Sequence, residues 1–177
     1  MTSKDYVKKL DWQSAIAEAA LELESLKPTL QTVAQAQTAI QQTLISMAKS
    51  YLHSGIARCF NPDKEGKHKE AIDDLSKAIA INSNIQGANN SEAYYYRAYA
   101  FFLDGDYEKA IEDCQEIEKN NPCSYRDELF GKIYFSMSKY EKAVDKFKAA
   151  LSHYSNSLPP PGLLDSYRDA CKKMNSV

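Results

Sequence analysis

The residue types that most often carry catalysis or bind metals are few and scattered in this 177-residue chain. Its three histidines, His53, His68 and His153, lie far apart, and none of its four cysteines belongs to a CxxC pair. A zinc site needs about four closely spaced ligands, and the sequence has no HExxH, GxSxG, GxGxxG or P-loop motif. We therefore expect no catalytic residue, no metal site and no cofactor, in a protein that is not an enzyme.

Neighbouring carboxylates could perform acid–base chemistry, and two such pairs occur, at Asp73–Asp74 and Glu112–Asp113. Both pairs fall on the polar faces of predicted helices, where solvated charges are common. The cysteines are expected to be reduced and to act as small apolar residues, with Cys114 on a buried helical face. Reduced cysteines are typical of a reducing intracellular compartment, so a cytoplasmic protein is expected.

Tyrosine is the chemically notable residue, with twelve copies against one tryptophan. Tyrosine offers a large contact area at a low cost in conformational entropy, which suits recognition of a partner. The net charge is −2, and no block of Lys and Arg predicts nucleic-acid binding. No apolar run approaches the ~20 residues of a membrane span, and the first residues lack the apolar core of a secretory signal.

Three segments repeat one helical pattern, at residues 68–82, 107–122 and 140–155. In the middle segment Ala110 is followed by Cys114 and Ile117, at the spacing of one helix face. The alanines that correspond to it, Ala71 and Ala143, are followed by apolar or small residues at the same offsets. The pattern predicts three amphipathic helices that use the same face for packing.

A second helical pattern precedes each of these segments. Ala48, Ala98 and Gly131 occupy matching places in it, and each is followed three residues later by an aromatic residue. A small residue there lets two helices approach closely. Gly105 and Asp106 predict a turn in the middle unit, with Asp106 as the cap of the next helix, and Pro122 ends that unit.

The paired pattern resembles the tetratricopeptide repeat (TPR) family over about residues 41–155. The middle unit carries the family positions at Tyr94, Ala98, Phe101, Tyr107, Ala110 and Pro122. The third unit carries them at Phe130, Gly131, Tyr134, Tyr140, Ala143, Phe147 and Ala150, and the first at Met47, Ala48, Tyr51, Gly55, Ala71, Leu75 and Ala78. The resemblance implies an all-α fold, a right-handed superhelical stack of antiparallel helix pairs with N- and C-terminal capping helices.

The expected organisation is a single domain over residues 1–177. An N-terminal helix is expected at 1–27, and a new helix at Pro28, because proline suits a first helical turn. The first repeat spans 28–82, with a long first helix and an insertion at about 56–67. The remaining segments are the second repeat at 91–122, the third at 124–155 and a C-terminal capping helix at 162–175.

The resemblance implies a concave groove lined by the first helix of each hairpin, and therefore an adaptor or scaffold that binds a protein or peptide. The side chains expected there are Ile45, Lys49, Leu52 and His53 in the first unit, Tyr95, Tyr96, Tyr99 and Phe102 in the second, and Tyr125, Leu129, Lys132 and Phe135 in the third. A partner, or one of the chain's own terminal helices, could cover this aromatic surface.

Two other functions stay open. Some TPR proteins grip the acidic C-terminal tails of chaperones with several Lys, Arg and Asn side chains. Of the matching positions only Lys49 keeps its type here, although Arg97 and Lys132 are close by, so this co-chaperone function is the alternative. A structural subunit of a larger assembly is the other. The oligomeric state is left open.

Overall fold

The computed structural model describes residues 3–60, 67–85, 87–120 and 124–176, with side chains from residue 16 onward. Within these ranges the chain forms helices and no strands, so the predicted all-α class is confirmed. The helices are α1 (Ser3–Cys59), α2 (Lys67–Asn82), α3 (Ser91–Asp104), α4 (Tyr107–Asn120), α5 (Ser124–Ser136), α6 (Tyr140–Ser152) and α7 (Leu163–Met174). None of the described helices combines the length and the apolar character needed to cross a membrane.

The chain divides into two units, residues 1–43 and 44–177, and the boundary falls within α1. In the first unit the predicted helix boundary at Pro28 is wrong, because α1 continues through that residue. Proline removes one backbone N–H, but strong helix formers such as Ala, Glu and Gln flank it on both sides. The hydroxyl of Thr32 donates to the carbonyl of Pro28 at 2.9 Å, one turn further on.

The second unit is a succession of helices in which each packs on the next. Helix α2 contacts α3, α4 contacts α5, and α6 contacts α7. Helices α3 and α4 coincide with the second predicted repeat, and α5 and α6 with the third. Of the expected insertion, Ile56–Cys59 belong to α1 and Asn61–Gly66 lie outside the described residues.

Close approach between paired helices occurs at small residues, at the predicted positions Ala98 and Gly131 and also at Gly55, where it was not predicted. A Cβ added to Gly131 would lie 2.5 Å from the Phe147 ring, and one added to Gly55 would lie 2.5 Å from Cγ of Leu75. Ala98 is completely buried at the corresponding position of the second hairpin. A side chain larger than hydrogen or methyl at these places would have to push a core residue out of position.

The turns of the second and third hairpins follow one plan. Gly105 ends α3 with φ +83°, and the N–H of Asp106 returns to the carbonyl of Phe101 at 2.9 Å. Asp106 then accepts a hydrogen bond from the backbone N–H of Lys109, which is the predicted helix cap. Ser138, one repeat later, takes the same left-handed conformation with φ +58°.

Helix α7 covers the last hairpin. Leu163 and Ala170 are buried, and they pack with Ala143, Phe147 and Ala150 of α6. Without such cover the outer face of α6 would leave these apolar side chains in water. The predicted C-terminal cap therefore corresponds to a helix that completes the core.

Candidate partner-binding face

Helix α3 presents four aromatic rings on one side, with a small residue on each flank of them. Tyr95, Tyr99 and Phe102 follow one another at helical spacing, with Tyr96 beside them, and all four are half-buried. Ala98 and Ala100 lie on the two flanks of the rings and are completely buried, Ala98 against α4 and α5 and Ala100 against the first hairpin. Because the alanines let α3 sit close to its neighbours, the large rings are left at the surface.

The rings of α3 continue into a larger set, which we call the aromatic face: Phe60, Tyr95, Tyr96, Tyr99, Phe102 and Tyr125. The ring of Phe60 stacks on that of Tyr99, with 5.9 Å between centroids, and meets Tyr96 edge-on at the same distance. Tyr95 meets Tyr96 at 5.1 Å and Tyr125 at 4.9 Å, both in T-shaped geometry. Such contacts hold each ring in place, so the face is preorganised for binding.

Phe60 is the member of the aromatic face that the sequence prediction missed. It lies just beyond α1 and is 61% exposed, although it touches two tyrosines of α3. Its spacing offers a signal, because Leu52, Ile56 and Phe60 are each four residues apart on one side of a helix. The sequence prediction placed Phe60 inside the expected insertion at about 56–67 and therefore did not count it among the binding residues.

Two pockets open beside the aromatic face. One of about 480 Å³ is lined by Glu92, Tyr95, Tyr96 and Tyr125. The other, of about 190 Å³, lies between α3, α5 and α7, and its lining residues are Phe102, Lys132, Phe135, Ser136, Phe147, Ser166 and Asp169. Each pocket is of a size that takes one or two apolar side chains of a partner.

The predicted binding residues of the first repeat, on α1, are less closely gathered. Leu52 packs against the core formed by Cys59, Ala71, Leu75 and Ala100, together with tyrosines of α3. Ile45 is half-buried, and Lys49 and His53 are exposed on α1. Burial raises the pKa of the neighbouring Cys59 thiol to about 11, so this side chain stays protonated and acts as an apolar residue.

The predicted residues of α5 divide between surface and core. Tyr125 is 43% exposed on the aromatic face, and Phe135 lines the smaller pocket. Leu129 was placed wrongly, because it is 2% exposed and packs against α4. Helix α5 contacts α3, α4, α6 and α7, so its buried arc is wider than the helical spacing suggests.

The basic side chains near the aromatic face are paired with carboxylates. Arg97 donates two hydrogen bonds to Asp113, at 2.7 and 2.8 Å, and a third to Ser76. The ammonium of Lys132 lies 2.6 Å from the carboxylate of Glu128. These pairs leave little positive charge for a carboxylate of a partner.

Electrostatics near Tyr95 favour a neutral phenol. Burial, reinforced by the nearby charge of Glu128, raises the pKa of Tyr95 well above that of a free tyrosine. Burial also raises the pKa of Tyr96, with Glu92 adding to the effect. Both hydroxyls therefore stay protonated and can donate hydrogen bonds at the rim of the larger pocket.

Comparison with known proteins agrees with the helical hairpins. A family model described as anaphase-promoting complex, cyclosome, subunit 3 matches residues 76–150. Tetratricopeptide repeat protein 13 of Homo sapiens is 32% identical over 89 residues, which cover 49% of this chain and 9% of that protein. Over these hairpins the chain is similar to tetratricopeptide repeat proteins. Hsp70-Hsp90 organizing protein 1 of Glycine max is 27% identical over 115 residues, or 64% of this chain and 19% of that protein.

The chain therefore spans less than a fifth of either relative. The similarity concerns the TPR hairpins, and the family model covers the end of α2, the whole of α3 and α4, and most of the third hairpin. Within this TPR stack the aromatic face lies on α3 and its neighbours. The predicted resemblance to TPR proteins is confirmed.

Proposed function

We propose that this TPR protein is an adaptor that binds a short segment of a partner protein across the aromatic face. The observation that carries the proposal is the continuous set of half-exposed rings from Phe60 to Tyr125, with a pocket at each end of α3. Aromatic side chains are enriched at protein interfaces, where they bury a large area with few rotatable bonds. A cytoplasmic location is part of this proposal.

The charges around the pockets favour a partner segment that combines apolar anchors with a basic side chain. The larger pocket carries Glu92, and the smaller one carries the ion-paired Lys132 together with Asp169, which lies 3.5 Å from the exposed Lys172. A Lys or Arg next to an aromatic or aliphatic anchor could pair with Glu92 while its stem covers a tyrosine ring. An acidic segment would meet carboxylates instead.

The alternative is binding of acidic chaperone tails. The likeness to Hsp70-Hsp90 organizing protein 1 favours it. The pairing of Arg97 with Asp113 and of Lys132 with Glu128 counts against it, because a tail would have to displace an existing carboxylate. The matching family model is described as a subunit of a large complex, so a permanent subunit of a larger assembly is a second alternative. Such a subunit would have little affinity for a free short peptide.

The test is a selection of peptides from a random library on the whole chain, followed by measurement of dissociation constants by fluorescence anisotropy. We expect peptides with apolar anchors and a basic residue. The double variant F60A/Y125A should raise the dissociation constants of these peptides at least about tenfold, because it removes two exposed rings without opening the core. The matched control is L158A, which removes a side chain that is 93% exposed on a loop.

Further arms separate the alternatives. E92Q should weaken the basic peptides and leave the fold unchanged by circular dichroism. Selection of peptides that end in several acidic residues, with binding abolished by K49A and K132A, would favour the chaperone-tail function instead. Failure of the library to yield any binder, or equal affinity for wild type and F60A/Y125A, would overturn the proposal.

A further inference from the structure

The unit formed by residues 1–43 carries an apolar stripe that no described residue of that unit covers. Every side chain described between Ile16 and Thr43 is exposed. The large apolar residues among them are Ile16, Leu21, Leu23, Leu26, Leu30, Val33 and Ile40. An exposed apolar surface of this length is rare on a monomer and indicates a site of association.

The stripe has the spacing of a coiled coil. The residues at 16, 23, 30 and 37 follow one another at intervals of seven, and those at 19, 26, 33 and 40 form a second series three residues later. These are the a and d positions of a heptad repeat, sustained for more than three heptads. All of them except Gln37 are apolar: Ile16, Ala19, Leu23, Leu26, Leu30, Val33 and Ile40.

We propose that residues 16–40 of α1 form a parallel, in-register coiled coil with a second copy of this chain. A straight helix would let a stripe of period seven drift around its surface, whereas two supercoiled helices keep it in contact. The association would bury side chains that the single chain leaves in water. It is independent of the aromatic face.

The charged residues beside the stripe support the parallel orientation. Glu22 occupies a g position and Lys27 the e position of the following heptad, five residues later. In a parallel, in-register pair, Glu22 of one copy faces Lys27 of the other, and the symmetry makes this contact twice. In the single chain, Lys27 instead pairs with Glu24 in a fully exposed contact of 2.8 Å, which is readily exchanged.

The polar residue within the stripe supports the same register. Gln37 stands at an a position, and in a parallel, in-register pair it lies opposite the same glutamine of the other copy, so the two amides can hydrogen-bond. In any other register it would face an apolar side chain and lose that partner. One polar a residue is a known means of selecting a single register.

The proline within α1 lies on the side of the helix opposite the apolar stripe. Pro28 lies at an f position, on the side opposite a and d. The carbonyl of Glu24, which lacks its usual N–H partner because of this proline, is on the outer side as well and can be hydrated there. Leu21 also lies at an f position, so it offers a control that is equally apolar but outside the contact.

The first test is the molar mass of the whole chain by light scattering coupled to size-exclusion chromatography at tens of micromolar. We expect the mass of two chains of 19.9 kDa each. The variant L26E/V33E places charges at two d positions and should reduce the mass to one chain. The control L21E should leave it unchanged. A single-chain mass for the wild type, or an unchanged oligomer in L26E/V33E, overturns the proposal.

The second test concerns orientation. In a parallel, in-register pair the two copies of residue 37 are adjacent, so Q37C should form a disulfide between chains on mild oxidation, seen by electrophoresis without reductant. The control Q35C places the thiol at an outward f position and should not cross-link above the wild-type background. Cross-linking of Q35C but not of Q37C would contradict this register.

Discussion

Arg97 and Asp113 connect α3 to α4 through a two-pronged ion pair, and the guanidinium also reaches Ser76 of α2. The corresponding carboxylate of the first hairpin, Asp74, accepts instead from Ser54 and Arg58. An aspartate thus links the two helices within each of the first two hairpins, at the same position. In the third hairpin this position is a lysine, whose ammonium lies 4.5 Å from the centre of the Phe130 ring.

We expect R97M to lower the free energy of unfolding by about 3 kcal/mol at neutral pH, because it leaves the buried carboxylate of Asp113 without its partner. Burial raises the pKa of Asp113, and the hydrogen bonds from Arg97 oppose that rise. Without Arg97 the folded state would hold a proton on Asp113 more strongly than the unfolded state does. The stability that this bound proton contributes to the folded state is therefore present at acidic pH and is lost as the pH rises.

The measurement is urea unfolding of wild type and R97M at pH 4.5 and pH 7. The loss of stability should be smaller at pH 4.5. The double variant R97M/D113L removes both charges and should recover most of the stability at pH 7, since no unpaired charge remains. An R97M penalty that is the same at both pH values would contradict the buried-charge explanation.

Individual side chains were predictable only where spacing alone decides burial. The small residues Ala98 and Gly131 and the cap Asp106 behave as their positions indicate. Arg97 looked available to a partner, because the sequence does not reveal that Asp113 of the next helix faces it. Leu129 looked exposed for a similar reason, since α5 has more neighbours than a repeat helix needs.

At the scale of the elements, the turns of the second and third hairpins provide a matched pair. Gly105 and Ser138 both adopt positive φ, which costs a residue with a Cβ about 1 kcal/mol and glycine almost nothing. The third hairpin also begins α6 without a side-chain cap, whereas Asp106 caps α4. The third turn is therefore the less favourable of the two.

We expect S138G to raise the free energy of unfolding by up to about 1 kcal/mol, and G105S to lower it by a similar amount. Both residues are exposed, and a Cβ at Gly105 would meet no atom within 4 Å, so packing does not complicate the comparison. Thermal unfolding followed by circular dichroism measures both. If S138G destabilises the protein, the strain assigned to Ser138 is absent.

The helices themselves were predictable to within a few residues from α2 onward, because glycine, proline and caps punctuate the sequence there. Helix α1 was not, and the expected break at Pro28 is absent. A proline on the outer side of a long helix removes one hydrogen bond, and its neighbours are strong helix formers. Gly55 also lies inside α1, where it packs against Leu75.

At the scale of the whole molecule, the repeats predicted the stack because each hairpin has to bury the same face against the next. They did not predict which side chains exposed at the surface would contact one another. The aromatic face draws on rings from α3, from α5 and from the residue that follows α1. Contacts between residues this far apart in sequence depend on how the helices pack, which periodicity does not describe.

We propose that a partner segment binds on the aromatic face, and locating a bound peptide on the chain tests this proposal directly. Chain labelled with 13C in its Phe and Tyr rings should be titrated with a library-selected peptide and followed by NMR. We predict that the rings of Tyr95, Tyr96, Tyr99 and Phe102 shift strongly, while that of Tyr51 does not. Saturable binding that leaves the α3 rings unchanged and shifts Tyr51 would contradict the account.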